Sequence, residues 1–288
     1  MYPELFRIGN FAITSFGLMM VLSFFAGAWV LGRMYERFGY PRDLAWDVLA
    51  WIALGGIVGA KGYYLLLHWS DLVADPIGQI FSRGGLVWYG GLIGGVSAYY
   101  LQVRARKLPA ALMFDATAPA LAVAYAIGRL GCFLVGDDYG RYTDSWVGIA
   151  FPDGSPPSTA GYLRRLGEQL PAQFADTDVV TVHPTQLYEI GLALVMFWIL
   201  WTVGKKHLRQ GRLFALYAIF YGLERFAIEF VRAKGDRILL DLSTSQVASI
   251  LLIAFGAFLW WKQGSAAPAP SGSPKAPGRT PAGAGARH

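Results

Sequence analysis

Long apolar runs constrain this chain most strongly, because a helix needs roughly 20 consecutive apolar residues to cross the hydrocarbon core of a bilayer. Seven runs approach or exceed that length, with few charges inside them. They are residues 8–32, 48–67, 84–103, 109–128, 186–204, 213–231 and 244–261. The sequence therefore predicts an all-α, multi-pass integral membrane protein with seven transmembrane helices.

The composition agrees with this class and excludes a soluble domain. Only 15% of the residues are charged and 55% are hydrophobic, whereas a soluble domain carries about 25% charged and 45–50% apolar residues. The 35 glycines have no fixed period, which excludes a collagen-like chain. Cys132 is the only cysteine, so an intramolecular disulfide and a cysteine-rich metal site are both excluded.

The distribution of lysine and arginine predicts the orientation. These residues are concentrated in loops 33–47, 104–108 and 205–212 and after the last span, and such loops face the cytoplasm. The N-terminus is then outside, the C-terminus is inside, and the polar segment between the fourth and fifth spans is outside. The predicted parts are 1–133 with helices 1–4, 134–184 as a small periplasmic head, 185–263 with helices 5–7, and 264–288 as a disordered cytoplasmic tail rich in Ala, Pro, Gly and Ser.

Several ionisable residues lie inside the predicted spans, namely Lys61, Asp115, Glu224, Arg225 and Glu229. Each costs roughly 2.5–3.5 kcal/mol at a helix centre and indicates function by default. For Lys61 and Asp115, snorkelling or structural ion pairing explains the charge equally well.

The depth of these side chains points to one leaflet. At 1.5 Å per residue, Lys61, Tyr89, Arg129, Arg225 and Glu229 all fall in the outer half, whereas Asp115 falls in the inner half. Tyr221 shares a helix face with Arg225 and Glu229 because the three are spaced by four residues. Two guanidinium groups near the outer headgroup level suit a lipid phosphate, which arginine can bind in bidentate fashion.

Other common chemistries lack support in the sequence. There is no nucleophile elbow, no H-E-x-x-H motif and no G-x-x-x-x-G-K-[ST] motif. Acyl-enzyme hydrolysis, zinc chemistry and nucleotide hydrolysis are therefore not indicated.

Four sequence blocks resemble the bacterial prolipoprotein diacylglyceryl transferases, and the resemblance extends from about residue 8 to 262. Residues Gly128–Gly140, which read GRLGCFLVGDDYG, align with the family signature G-R-x-G-N-F-x-N-x-E-x-x-G. The other blocks are YGGLIGG at 89–95, HPTQLYE at 183–189, and YGLER at 221–225 leading to Glu229 and Phe230. The blocks occur in the family's order on the same seven-span layout.

The resemblance implies an activity in the bacterial inner membrane. The diacylglyceryl group of phosphatidylglycerol is transferred to the lipobox cysteine thiol of a preprolipoprotein, which forms a thioether and releases glycerol-1-phosphate. This is the first step of lipoprotein maturation, and its product passes to signal peptidase II. The implied partners are these two substrates and membrane lipids, with no nucleic acid, no metal and no cofactor.

The resemblance also implies site residues. Arg129 and Arg225 fall on the family's two functional arginines, which would hold the phosphate and stabilise charge that develops on it. Glu229 would hold the Arg225 guanidinium in place. For Tyr89, which departs from the family pattern, the chemistry of a phenol predicts that it positions the lipid by hydrogen bonding. The predicted catalytic residues are Arg129, Arg225, Tyr89 and Glu229, and the predicted phosphatidylglycerol-binding residues are Arg129, Arg225, Lys61, Tyr221, Gly140 and Asp137.

Positions that carry polar or aromatic groups in the family depart from its pattern here. Tyr89 replaces a histidine, Cys132 an asparagine, Asp137 a glutamate and Phe16 a tyrosine. The identity of a general base is therefore open.

Two alternatives remain at this point. The first is a transporter or channel whose pathway is lined by the intramembrane charges, although a pathway needs charges across the whole depth. The second is an inactive homologue that only binds lipid, as Tyr89 and Cys132 suggest. The presence of Arg129, Arg225 and Glu229 favours an active enzyme over this second alternative.

Overall fold

The computed structural model describes residues 1–265 apart from residues 10, 83, 84, 207, 234–236, 240 and 241. Within this part the chain is mostly helical. The helices are α1 Ser15–Arg37, α2 Leu44–Leu67, α3 Trp69–Ala74, α4 Pro76–Phe81, α5 Trp88–Ala105, α6 Ala110–Val135, α7 Ala160–Arg165, α8 Thr185–Val203, α9 Arg212–Ile228 and α10 Thr244–Ser265. The tail predicted for 264–288 lies outside the described residues from 266 onward.

Short strands form three two-stranded antiparallel sheets in the described part of the chain. The strands are β1 Glu4–Ile8, β2 Phe11–Thr14, β3 Ile149–Ala150, β4 Thr181–Val182, β5 Arg237–Leu239 and β6 Leu242–Ser243. The sheets pair β1 with β2, β3 with β4, and β5 with β6.

Five helices, α1, α2, α6, α8 and α10, are long and apolar enough to cross a membrane. The third and sixth predicted spans coincide with α5 and α9, which are 18 and 17 residues long. Glycine and tyrosine lower the hydropathy of α5, and α9 is short and carries several charges. The chain is therefore an integral membrane protein of mostly helical structure.

Two helix limits lie seven residues from the predicted span limits. The first span was predicted from residue 8, but β2 covers Phe11–Thr14 and α1 begins at Ser15. The Thr14 side chain accepts a hydrogen bond from the Gly17 amide at 3.1 Å, which is an N-cap that fixes the start of the helix. The fourth span was predicted to end at 128, whereas α6 continues to Val135 and ends at Gly136, whose φ of 74° closes the helix.

The α6 helix is at the centre of the bundle and packs against α1, α8 and α9. Small side chains allow this, because five alanines of α6 are buried, namely Ala116, Ala118, Ala120, Ala122 and Ala126. The main core adds larger side chains from α1, α5 and α8, including Met34, Tyr35, Tyr99 and Leu200. Tyr99 of α5 donates a hydrogen bond to the Met113 carbonyl at 2.6 Å.

Asp115 has a structural environment in the half of α6 that is far from Arg129. Its carboxylate is buried and accepts hydrogen bonds from the amides of Gly211 at 2.6 Å and Phe214 at 2.8 Å. These amides are at the N-terminus of α9, where backbone N–H groups lack partners within the helix. Asp115 therefore caps a neighbouring helix, which explains a carboxylate at this depth.

Glycines bring α2 and α5 into direct backbone contact. A Cβ atom added at Gly94 would overlap the Gly55 carbonyl, and one added at Gly59 would overlap the Gly90 carbonyl. The Gly-Gly pairs of α5 thus pack helices closely, which is the small-xxx-small arrangement of membrane interfaces.

A test of this interface is Gly94→Ala. The added methyl group overlaps main-chain atoms of α2, which cannot rotate away, so we expect a loss of about 1–3 kcal/mol in unfolding free energy. Gly62→Ala in α2 is the matched control, because a Cβ there meets nothing within 4 Å. Thermal or SDS-induced unfolding in detergent would measure both, and equal stability of the two variants would contradict the proposed close packing.

Residues between α6 and α8 form a region with its own packing. Its buried cluster contains Tyr139, Phe151, Leu163 and Val182, together with Ala160, Val180 and Ala233. The Tyr139 hydroxyl donates to the Pro157 carbonyl at 2.9 Å. This region connects the C-terminus of α6 with the N-terminus of α8.

Candidate active site

Glu189 lies at the centre of the most highly charged region inside the bundle. Its side chain, in the second turn of α8, is fully buried. One carboxylate oxygen lies 3.0 Å from Arg129 Nε and the other 3.2 Å from Arg225 Nη1. The Tyr125 hydroxyl donates to the same carboxylate at 3.0 Å. Glu189 therefore joins α6 and α9 through one shared anion.

The two arginines have further partners. Arg225 Nη2 lies 3.2 Å from Glu229 and 3.3 Å from the Ser245 hydroxyl. Arg129 Nη1 pairs with Asp138 at 2.9 Å, and the other oxygen of Asp138 pairs with Arg232 Nη2 at 2.7 Å. We call the set Arg129, Arg225, Arg232, Asp138, Glu189 and Glu229 the arginine cluster.

The six side chains that define the arginine cluster balance in charge, and a further buried carboxylate, Glu224, accepts a hydrogen bond from the Tyr125 hydroxyl at 3.4 Å. Three guanidinium groups face three carboxylates, and the side chains of Arg129 and Arg225 are each only 14% exposed. Buried charges persist when they are paired and hydrogen-bonded, and removing one partner leaves an uncompensated charge. The buried carboxylates Glu189 and Glu229 therefore hold the arginines in place.

Aromatic rings form one wall of the cluster. The ring of Tyr221 packs edge-to-face on Tyr125 at 5.2 Å and stacks on Tyr217 at 5.8 Å. Tyr221 precedes Arg225 by one turn of α9, so the two side chains lie on one helix face and the ring is beside the charged groups. The rings limit access of water from that side.

Gly140 allows two chain segments to meet next to the cluster. Its amide donates to the His183 carbonyl at 2.8 Å, and its strand-like bridge partner is Arg232. A Cβ atom at this position would overlap the Val231 carbonyl. Only glycine fits, and its contacts align the segment carrying Asp138 with the segment carrying Arg232.

Asp137 is half-buried next to Cys132. Its backbone carbonyl accepts a hydrogen bond from Gln186 Nε2 at 2.5 Å, and among the described residues its Oδ1 atom has no hydrogen-bond partner. Burial raises the pKa of this carboxyl group, and the neighbouring charge of Asp138 raises it further.

One group of side chains has the composition of a metal site. The Cys132 thiol and the carboxylates of Asp137 and Asp138 lie within 4.8 Å of one another. However, Arg129 Nη1 is 3.8 Å from the Cys132 sulfur and also pairs with Asp138. A cation there would face a guanidinium group, so we assign no metal to these residues.

Lys61 and Tyr89 lie on the α2–α5 pair. The hydrogen bonds described for the Lys61 ammonium group go to the Ser82 carbonyl at 3.0 Å and hydroxyl at 2.8 Å. Tyr89 is 59% exposed, and its ring packs edge-to-face on Trp88. Within the described residues, no hydrogen bond or ion pair places Tyr89 in the arginine cluster.

Sequence reasoning did not select Glu189, Arg232, Asp138 or Tyr125 as site residues. Glu189 was the easiest of these to predict, because it is an ionisable residue inside the predicted 186–204 span and belongs to the HPTQLYE block. Asp138 lies within the signature block but outside its fixed positions. Arg232 was assigned to a loop, and Tyr125 is one of many aromatic residues, so neither had a distinguishing signal.

A bundle of apolar helices with a balanced cluster of arginines and carboxylates buried at one end defines a helical membrane protein with a polar site inside its bundle. Residues 3–262 match the family described as prolipoprotein diacylglyceryl transferase. The chain therefore belongs to the prolipoprotein diacylglyceryl transferase family.

Similar relatives are named phosphatidylglycerol–prolipoprotein diacylglyceryl transferase. The protein of Clostridium tetani is 31% identical over 261 residues, which cover 90% of this chain and 97% of the relative. That of Chlorobaculum tepidum is 35% identical over 286 residues, or 91% of each chain. That of Stenotrophomonas maltophilia is 35% identical over 273 residues, or 89% of this chain and 90% of the relative.

Proposed function

We propose that this protein transfers the diacylglyceryl group of phosphatidylglycerol to the lipobox cysteine thiol of preprolipoproteins. The observation that carries this proposal is the family match over residues 3–262, together with two family-matched arginines that converge on one buried carboxylate. The reaction is the first step of bacterial lipoprotein maturation.

The chemistry requires stabilisation of a leaving phosphate. The cysteine sulfur forms a bond to the glycerol carbon, the bond between that carbon and the phosphate oxygen breaks, and its electron pair remains on glycerol-1-phosphate. The thiol proton is released. Arg129 and Arg225 bind the phosphate and stabilise the charge that develops on it, which is the electrostatic role typical of guanidinium groups at such sites.

Other residues position these two arginines. Glu189 fixes the distance between them, and Glu229 holds the second nitrogen of Arg225. Tyr221 and Gly140 shape the site through ring packing and close backbone approach. Asp137 and Lys61 are proposed to contact the lipid headgroup, Lys61 from the α2–α5 pair.

The proposed topology has seven membrane-spanning helices, including α5 and α9, in the bacterial inner membrane. The N-terminus and the 134–184 head are on the periplasmic side, and the C-terminus is cytoplasmic. This orientation is supported by the lysines and arginines of loops 33–47, 104–108 and 205–212. It places the arginine cluster at the periplasmic end, where exported preprolipoproteins arrive.

The alternatives are less well supported. A transporter or channel pathway needs polar groups along its length, whereas the arginine cluster is at one end of α6, α8 and α9 and Asp115 caps a helix. The convergence of Arg129 and Arg225 on Glu189 suits a site that stabilises developing charge, which an inactive lipid-binding homologue would not need. The family match favours the transferase over both.

The direct test uses purified protein, phosphatidylglycerol labelled in its acyl chains and a lipobox peptide. We expect label to appear on the peptide and to resist neutral hydroxylamine, which cleaves thioesters but spares the oxygen esters of the labelled acyl chains, because a thioether has formed. A peptide with serine in place of the lipobox cysteine should remain unlabelled. Lipid binding without any labelled peptide would identify an inactive homologue.

Tyr89→Phe should retain measurable transferase activity. Tyr89 is exposed and lies outside the arginine cluster, and a neutral phenol is a weak base. We therefore expect a hydrogen-bonding role in lipid placement and tolerance of Tyr89→His as well. Turnover against pH for wild type and Tyr89→Phe measures this. A variant that binds phosphatidylglycerol but is inactive at every pH would show that the phenol transfers a proton.

A further inference from the structure

We infer that Asp138 is an internal competitor of the substrate phosphate. In this view the Asp138 carboxylate occupies a phosphate position between Arg129 and Arg232, and the side chain turns away when a phosphate-bearing ligand binds. The inference rests on the proposed function, because it takes the arginine cluster as the phosphate site. It adds Arg232 as a third phosphate-binding side chain.

The contacts of Asp138 resemble those of a bound oxyanion. One carboxylate oxygen lies 2.9 Å from Arg129 Nη1 and the other 2.7 Å from Arg232 Nη2. Two oxygens of one anion thus bridge two guanidinium groups, which is the geometry that a phosphate adopts at arginine sites. Arg129 Nη1, which binds Asp138 here, is also a donor to the lipid phosphate in the proposed reaction.

Burial distinguishes Asp138 from the other carboxylates of the cluster. The side chains of Glu189 and Glu229 are 0% and 3% exposed, whereas that of Asp138 is 43% exposed. Its two arginine partners are 14% and 5% exposed. Asp138 is therefore the carboxylate that can leave the cluster at the lowest desolvation cost, while the guanidinium groups stay in place.

The backbone conformation and an adjoining cavity allow the Asp138 side chain to take a second position. Asp138 has a φ of 57°, a left-handed conformation that asparagine, aspartate and glycine adopt most readily. A cavity of about 160 Å³, lined by Tyr139, Tyr162, Arg232 and Asp138 itself, adjoins the carboxylate on the head side. Rotation about the side-chain bonds moves the carboxylate towards solvent without changing the backbone.

A functional consequence follows from charge. The Asp138 carboxylate and a phosphate cannot both occupy the position between Arg129 Nη1 and Arg232 Nη2, because the two anions would overlap there and repel each other strongly at a site of low exposure. Each binding event must first break two charge-assisted hydrogen bonds of Asp138, and each departing glycerol-1-phosphate is followed by their reformation. Asp138 thereby weakens binding of both substrate and product and promotes product release.

The test compares Asp138→Asn and Asp138→Gly with wild type. Both residues suit the left-handed backbone, and both remove the competing charge. Asp176→Asn is the matched control, since it removes an ion pair with Arg164 in the same region, away from the cluster. Equilibrium binding of glycerol-1-phosphate, inorganic phosphate and phosphatidylglycerol in nanodiscs is measured on full-length protein.

We expect both Asp138 variants to bind glycerol-1-phosphate about tenfold more tightly, since charge-assisted hydrogen bonds to the competitor no longer need to be broken. Asp176→Asn should bind as wild type does. If the Asp138 variants also bind inorganic phosphate more tightly than wild type does, the site recognises phosphate itself. If only phosphatidylglycerol binds more tightly, the site recognises the lipid headgroup.

Weaker or unchanged binding in both variants would overturn the inference, because Asp138 would then hold the arginines in position. Failure of Asp138→Asn to fold would also overturn it, since the carboxylate could not leave the cluster during turnover. The binding readout needs no turnover. If the wild-type protein has no transferase activity but its Asp138 variants bind phosphate more tightly, the transferase proposal is contradicted and the inference about Asp138 is not.

Discussion

Glu189→Gln is expected to lower both stability and turnover more than any other single change in the carboxylates of the arginine cluster. Glutamine keeps the size of the side chain and can still bind Tyr125, but two guanidinium groups lose their shared anion. Breaking a buried ion pair from one side costs about 3–5 kcal/mol, and a displaced catalytic group costs on the order of 10² in rate. SDS-induced unfolding and the labelled-peptide assay measure the two effects.

Glu36→Gln provides the control for charge removal alone. Glu36 pairs with Arg33 at 3.5 Å, and both side chains are more than 40% exposed. Exposed pairs contribute about 0–1 kcal/mol, so this variant should unfold and turn over nearly as wild type does. If Glu189→Gln matched Glu36→Gln in both assays, Glu189 would not organise the site.

Arg225→Ala is expected to reduce turnover by on the order of 10²–10³, the usual cost of losing one electrostatic donor. Arg225→Lys should retain more activity, because it keeps the charge. Lysine cannot reproduce the planar fork that contacts Glu189, Glu229 and Ser245 at the same time. Rates at saturating phosphatidylglycerol, with protein amounts corrected for folded fraction, measure the series.

The comparison between the two Arg225 variants decides the role of this residue. A phosphate ligand predicts graded activity, with alanine below lysine and lysine below wild type. Equal activity of alanine and lysine would indicate that Arg225 serves the structure only. Arg104→Ala, an exposed arginine near the end of α5, is a control in which little change is expected.

Local properties of the sequence determined the class of protein. Apolar runs reveal buried or lipid-facing helices without any knowledge of their neighbours, so five helices of sufficient length and hydropathy were within reach of the sequence. The spacing of Tyr221, Arg225 and Glu229 placed them on one helix face, since that depends only on the helical period. Family-like blocks identified Arg129 and Arg225.

Span ends were harder, because local contacts decide them. Hydropathy continued through residues 8–14, but the pairing of β1 with β2 and the cap at Thr14 begin the helix later. In α6, the predicted span ended before Arg129, but residues 130–135 are again apolar and the helix continues to Val135, with Arg129 paired to Glu189 of α8.

The arginine cluster itself depends on tertiary structure. Glu189 bridges Arg129 and Arg225 only because α6, α8 and α9 pack with those turns at one level, and Asp138 reaches Arg232 only because Gly140 lets two backbones meet. An ion pair depends on distance and on shared burial, and neither is encoded by residue spacing along the chain. By itself the sequence determined a helical membrane protein with two family arginines; the packing decided which carboxylates compensate them and which one can leave.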